Sequence, residues 1–453
     1  MSPQILATSS GQPAPLTISQ EQLVLREIRR PDAPPLYNEC IQLRMPGPLN
    51  VHALEKSFAE IIRRHEIWRT AYAIGDNQAL QVIHPATDQI EIPLLDFQGF
   101  PKARREEEID RVIGSLVQQP FSLKNESLLR TRLIRVNDTE HRLYVIAHLS
   151  IVDGLSVYQI FPNELAALYR AHVSGRSSDL EFLSIQFADY SRWQRQTSES
   201  ENFTEQLEYW RVQLAGEVPP LSWPADRPRP SQETFRGEIE KFVMPAALAH
   251  GIKTLARREG ATLFVAILSL LAALLHSYTR QDDFAIGTPS PSGRKRSEVQ
   301  QLLGYFLTPV ALRFHITRNM TFCELLRQAQ RLTLEAISND DPPVEVLTQR
   351  LGLHVDPSRN PLFTVATSLQ PAMPKLDLDW TVTSMDINSG GAPWDLYLAF
   401  IDGREGMLGR LQYNPDLFET ETIAHFVQDY QDLALIVSLN PDKRLCKLCS
   451  NHQ

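Results

Sequence analysis

Leu143-Tyr144-Val145-Ile146-Ala147-His148-Leu149-Ser150-Ile151-Val152-Asp153-Gly154, followed by Leu155, Val157, Ile160, Leu165 and Leu168, changes its periodicity once. Leu143 to Ala147 is a short β-rich run with little polarity, the pattern of a strand buried on both faces. After Asp153-Gly154 the apolar residues recur at helical spacing, which predicts a helix running to about His172. Strand, tight turn and helix in succession mark an α/β fold, and the end of such a strand is where α/β enzymes commonly present reactive groups. A lone histidine there has two readings: a hydrogen-bonded structural residue, which is the commoner case, or a catalyst. Asp153 suits the cap of the following helix by accepting backbone N–H bonds, and Gly154 permits a turn that a Cβ would obstruct.

Working outward, residues 1–15 are polar and rich in Pro, Gly and Ser, which predicts a flexible lead. Leu54, Phe58, Ile61 and Ile62 predict an amphipathic helix from Leu54 to His65, and Arg69-Thr70-Ala71-Tyr72 reads as a strand. Two stretches read as linkers, Val173 to Asp179 and the proline-rich Pro219 to Pro230. Beyond them a helix is expected over Thr262 to Tyr278 and strands over Val310 to Ile316 and Leu362 to Ser368. Two comparable α/β halves, 16–178 and 179–445, with a cleft between them and a tail at 446–453, are the simplest architecture. No short-period repeat is visible, so a solenoid or propeller is not expected.

The 453 residues carry 45 Lys+Arg against 54 Asp+Glu, a formal net charge of −9. That balance, without a long basic run, argues against a nucleic-acid partner, and the short basic stretch Arg294-Lys295-Arg296 reads as a solvated loop. The longest apolar run, Leu263 to Leu275, falls short of the roughly 20 residues needed to cross a bilayer and reads as a buried helix, so no membrane partner is expected. Nothing near Met1 marks the chain for secretion, and the cytoplasm is the default compartment. Cys40, Cys323, Cys446 and Cys449 are too few and scattered for a disulfide framework. Cys446 and Cys449 form one CxxC, but without a second pair it does not make a zinc site.

Six further segments resemble, in order, the condensation domains of non-ribosomal peptide synthetases. Ser19-Gln20-Glu21-Gln22-Leu23 resembles the opening SxAQxRL segment, with Glu21 where the family has Ala. Arg64-His65-Glu66-Ile67-Trp68-Arg69-Thr70-Ala71-Tyr72 is similar to RHExLRTxF. Phe187-Ala188-Asp189-Tyr190-Ser191-Arg192-Trp193-Gln194 is similar to YxDYAxWQ, and Gly304-Tyr305-Phe306-Leu307-Thr308-Pro309-Val310 stands where the family reads GxFVNTL. Asp341-Pro342-Pro343-Val344-Glu345 and Ser358-Arg359-Asn360-Pro361-Leu362-Phe363 resemble DxPFE and SRNPLF. The resemblance implies two chloramphenicol-acetyltransferase-like α/β halves forming a V with a central tunnel. Into it, donor and acceptor carrier proteins send phosphopantetheine arms that meet near an HHxxxDG motif. No metal or diffusible cofactor is implied, while carrier proteins and neighbouring domains such as adenylation are the implied partners.

Aligning Asp153 and Gly154 with that motif puts His148 on its first His and Leu149 on the second, the residue usually given the catalytic role. Successive strand residues point to opposite faces, so if position 149 faces the tunnel, His148 faces the protein interior. His148, Asp153 and Gly154 are then expected to hold the motif in place, with Arg69 as ion-pair partner of Asp153 and with Arg359 and Asn360 as structural support. Two functions follow. One is a condensation enzyme working without the usual base; the other is an inactive scaffold that docks carriers or recruits a tailoring enzyme. A heterocyclisation domain would carry Asp at position 148, and an epimerisation domain would still need the second His. A free-standing acyltransferase using coenzyme A stays open.

Overall fold

The computed structural model describes residues 4–7, 12–75, 79–124, 126–216, 218–353, 356–383, 387–403 and 406–447. They form two compact units. The first gathers Met1–Glu199 with two later segments, Gly293–Leu307 and Pro371–Gly391; the second holds Ser200–Ser292, Thr308–Gln370 and Ala392–Gln453.

In chain order the first unit contains β1 (Ala14–Pro15), α1 (Ile18–Ile28), β2 (Asn38–Pro46), α2 (Val51–Arg64), β3 (Thr70–Ile74), β4 (Ala79–Ile83), β5 (Leu94–Asp96), α3 (Lys102–Val117), β6 (Leu129–Asn137), β7 (Glu140–His148), α4 (Phe161–Ser174) and α5 (Phe187–Thr197). β7 is the middle of a five-stranded sheet ordered Thr381–Thr383, β2, β7, β6, β5. Its antiparallel register sets Asn38 opposite His148 on one side and Leu129 opposite Ala147 on the other. Every residue from Leu143 to His148 is buried, as the apolar run requires. Helix α2 starts where the Asn50 side chain accepts the Ala53 N–H at 3.0 Å, and its buried stripe of Leu54, Phe58 and Ile61 packs toward α4. Phe58, Trp68 and Phe161 meet there, with Trp68 and Phe161 centroids 5.0 Å apart. The helix expected after Gly154 forms, but it opens with a π-helical turn at Ser156–Ile160 before α4 proper.

The second unit is built on one six-stranded sheet, in the order Thr308–His315, Asp283–Ser290, Val365–Gln370, Leu396–Gly403, Gly406–Tyr413, Glu238–Pro245. Helix Leu263–Thr279, capped by the Thr262 hydroxyl, is buried from Val265 to Ser277 in the unit's core. No single helix among the described residues is long and apolar enough to cross a membrane.

Several expectations need correction. The lead is not flexible throughout: Gln12 and Pro13 carbonyls accept Arg192 guanidinium N–H bonds, and Ala14 and Leu16 are fully buried. The compact units part at Glu199/Ser200 and not at 178/179, because α5 is tied to the first unit. Arg195 pairs with Glu21 at 2.6 Å, and the Gln81 amide donates to Ser191 Oγ at 2.9 Å. At Val173 to Asp179 helix α4 simply continues to Ser174 and stops at Gly175, whose φ of 65° is left-handed. The strand expected from Leu362 begins only at Val365. Of the expected tail, residues 448–453, Cys449 included, lie outside the described residues.

Pro219 to Pro230 is a packed strap. The Trp223 indole stacks on Tyr278 at 5.1 Å and meets Phe426 at 5.0 Å, and the Arg227 guanidinium donates to Phe418 O at 3.2 Å. Proline restricts the backbone here while Leu221 and Trp223 anchor it, with Pro220, Pro224 and Pro228 left exposed. Trp223→Ala should therefore destabilise the second unit by about 2 kcal/mol, less than the 3–5 kcal/mol of a fully buried Trp. Denaturant unfolding checks this, and a change below about 0.5 kcal/mol would restore the linker reading.

Candidate functional site

Where β7 ends, the chain makes one 3-10 turn over Leu149–Ile151. His148 is completely buried, and both ring nitrogens are occupied. Nδ1 lies 2.7 Å from Ser150 Oγ and also accepts the Ser150 N–H at 3.3 Å, while Nε2 lies 2.6 Å from Glu27 Oε2. An acceptor Nδ1 places the proton on Nε2, which donates to Glu27. Leu149 is half-buried, and its N–H donates to Tyr37 O at 2.7 Å. His148 is thus fully enclosed, and it has no lone pair left for a substrate.

Asp153 is held by Arg294, not by Arg69. Arg294 Nε reaches Asp153 Oδ2 and Nη2 reaches Oδ1, both at 2.9 Å. Its Nη1 donates to Val299 O at 2.7 Å and Leu302 O at 2.8 Å, and Nη2 also donates to Ser156 Oγ at 3.0 Å. All five guanidinium N–H donors are satisfied, and the plane rests on the Phe306 ring with Cζ 4.0 Å from its centroid. Asp153 also caps the helix as expected, its Oδ1 accepting the Ser156 N–H at 2.8 Å. Gly154 is the first helical residue, so no left-handed turn stands there. Arg69 instead pairs with Glu66, three residues away, at 3.2 Å and donates to His84 O. The basic stretch read as solvated is so only in part, since Arg294 is 6% exposed.

The segment that supplies Arg294 is fixed at several further points. Ser156 Oγ accepts the Gly304 N–H at 3.1 Å. Gly304 has φ of 155°, and a Cβ there would come within 2.3 Å of Phe187, so the glycine is obligatory. His65 Nδ1 accepts the Leu303 N–H at 3.2 Å, and its Nε2 donates to Glu164 at 2.9 Å. Burial raises the Glu164 carboxyl, but hydrogen bonds and charges from His65 and Arg64 outweigh it and hold the group below the ordinary glutamate range. A lowered folded-state pKa stabilises above the unfolded value of about 4.3 and is lost as pH falls through the folded one. Glu164→Gln should therefore flatten the acid limb of the melting profile below about pH 4.3, followed by thermal melts from neutral to acid pH. An unchanged acid limb would show that Glu164 is not the group titrating.

Arg359 and Asn360 lie in the second unit, with Arg359 Nε 2.8 Å from Asp356 and Asn360 Oδ1 accepting the Leu362 N–H at 3.3 Å. They shape their own loop. Sequence reasoning missed Glu27, Ser156 and Arg294. Ser156 follows Gly154 closely enough to have been flagged, whereas Arg294 is 141 residues from its aspartate. Among the described residues no group of three or more His, Cys, Asp or Glu is placed to hold a metal. The polar groups of the motif are thus saturated, and position 149 carries an aliphatic side chain.

A family model described as condensation domain matches residues 12–451. A linear gramicidin synthase polypeptide of Brevibacillus parabrevis is 34% identical over 452 residues, 99% of this chain and 9% of that protein. Surfactin synthase subunit 1 of Bacillus subtilis is 32% identical over 440 residues, 96% of this chain and 12% of that protein. The chain thus spans a small part of these relatives. Among solved structures, the X-domain from teicoplanin biosynthesis matches with a TM-score of 0.84 at 25% identity, covering 98% of this chain and 99% of that one. The same domain in complex with OxyB matches at 0.84 and 26%, covering 99% of this chain and 98% of that one. The first condensation domain of the calcium-dependent antibiotic synthetase matches in fold, with a TM-score of 0.82 at 17% identity over 96% of this chain and 99% of that one.

Proposed function

The chain belongs to the condensation-domain family of non-ribosomal peptide synthetases, and from that premise we propose that it joins a carrier-bound acyl or peptidyl thioester to an amine acceptor without a side-chain base. The observation that supports this reading is the fully satisfied Asp153–Arg294–Ser156 framework, which holds the start of the helix that follows the turn carrying Leu149. The acceptor amine attacks the donor thioester carbonyl, the C–N bond forms, the C–S bond breaks, and the amine proton leaves to the thiolate through solvent. Holding both partners in place supplies on the order of 7 kcal/mol or more of barrier reduction, and the thiol is a good leaving group. General-base help adds about 10² to 10⁴ elsewhere and is what Leu149 forgoes. Phosphopantetheine arms of partner carrier proteins bring both substrates through a tunnel, with an adenylation domain as neighbour and the cytoplasm as the setting.

A second reading is favoured by one comparison. The X-domain likeness, at 25–26% identity, includes a structure of that domain bound to OxyB, so a docking role that recruits a tailoring enzyme is the competing function. Incubating the chain with loaded donor and acceptor carrier proteins, with product followed by mass spectrometry, separates the two. Amide above the uncatalysed background supports the enzyme; carrier binding without any amide supports the scaffold.

A further inference from the structure

Helix α1 reaches the turn at Leu149 from both of its ends. Gln20 and Glu27 lie two helical turns apart on α1 and so share a face. From one end, Gln20 Nε2 donates to Ser150 O at 2.9 Å and to Tyr72 Oη at 3.0 Å. From the other, Glu27 receives His148 Nε2–H at 2.6 Å. Between them Tyr72 Oη donates to Ser150 Oγ at 2.7 Å, and Ser150 Oγ donates to His148 Nδ1 at 2.7 Å. Gln20, Tyr72, Ser150 and His148 are all completely buried.

The protons in this chain all point one way. An amide can only donate from Nε2, so Tyr72 Oη accepts it and must pass its single proton onward. Ser150 Oγ, having accepted that proton, sends its own to His148 Nδ1, which fixes the imidazole as the Nε2–H form facing Glu27. Burial keeps the Tyr72 phenol protonated, raising its pKa far above the ordinary tyrosine value despite the bond it donates to Ser150 and the one it accepts from Gln20.

We propose that Tyr72 is a positioning residue for the reaction at position 149, acting through Ser150 and His148 to hold the turn that carries residue 149. This role rests on the amide-forming reading above. Tyr72→Phe removes one oxygen and keeps the ring, leaving Ser150 Oγ without its donor while the turn's backbone bonds persist.

Three measurements on the full chain test it. In ¹⁵N-histidine spectra, Tyr72→Phe should move the His148 Nδ1 resonance toward the value of a weaker acceptor while the Nε2–H form is kept. Hydrogen exchange at the Leu149 amide, which donates to Tyr37 O, should rise about tenfold, while amides inside β7 exchange as before. In the parent chain, and likewise in a Leu149→His background, Tyr72→Phe should lower kcat on the order of tenfold with KM unchanged, within the 10² that misplacement of about 1 Å can cost. If Tyr72→Phe merely lowers the melting temperature, with the Nδ1 resonance and Leu149 exchange unmoved, the tyrosine is structural filler and the proposal falls. If both move but kcat holds, the turn is ordered by Tyr72 without consequence for reaction, and the positioning role also falls. A Leu149→His chain that forms no amide at all removes the functional reading instead, and the spectra and exchange then decide whether Tyr72 orders the turn.

Discussion

Leu149→His should raise the rate of amide formation from carrier-bound donor and acceptor by about 10² or more, the usual contribution of a positioned general base. The reasoning is local. Leu149 is half-buried at the end of β7, its backbone is pinned by the bond to Tyr37, and its neighbours His148 and Ser150 are committed elsewhere. A new imidazole therefore enters a turn whose course is already set. Product is followed by mass spectrometry under single-turnover conditions, with melting as the check on folding. A folded Leu149→His chain no faster than an already fast wild type would place the base on the substrate. No product from either chain, with carrier binding intact, would leave the docking function standing.

The second large effect concerns stability. Arg294→Met strands Asp153 as a buried carboxylate without its cation, which typically costs about 3 to 5 kcal/mol. For a unit of this size that corresponds to a fall in melting temperature of roughly 6 to 20 °C. Pairing it with Asp153→Asn should recover part of the loss, because the two side chains share one network and their effects do not add. Calorimetry of the two single variants and the double one measures this. A melting temperature for Arg294→Met within about 2 °C of the parent would mean the pair contributes little to stability.

Local periodicity made β7, α2, α4 and the buried helix Leu263–Thr279 legible, because each buries a stripe or face that its own residues announce. Leu149 leaves β7 in a 3-10 turn, so alternation along the strand does not set where its side chain lies, but the turn after His148 and the capping aspartate were legible too. The partner of Asp153 was not. Arg69 sat in a known segment, but Glu66 lies one helical turn from it and claims it first. Arg294 sits among Gly293, Lys295 and Arg296, a composition that reads as solvent-facing, and only folding brings it to a carboxylate 141 residues upstream. Proline misled in the same way at Trp223: it restricts the chain, and restriction serves a packed strap as well as a linker.

The first unit is discontinuous, and synthesis on the ribosome meets that fact in time. Asp153 emerges 141 residues before Arg294, roughly 7 to 28 s earlier at translation rates of about 5 to 20 residues per second. Through that interval the nascent chain holds an aspartate whose burial has no cation to balance it, and β2 presents an open sheet edge until Thr381–Thr383 arrives to cover it. Final closure of the first unit is thereby deferred until most of the second has been made. Nascent chains arrested between these points are the species on which chaperones would act, and release from them should track the emergence of Arg294 and then of Thr383.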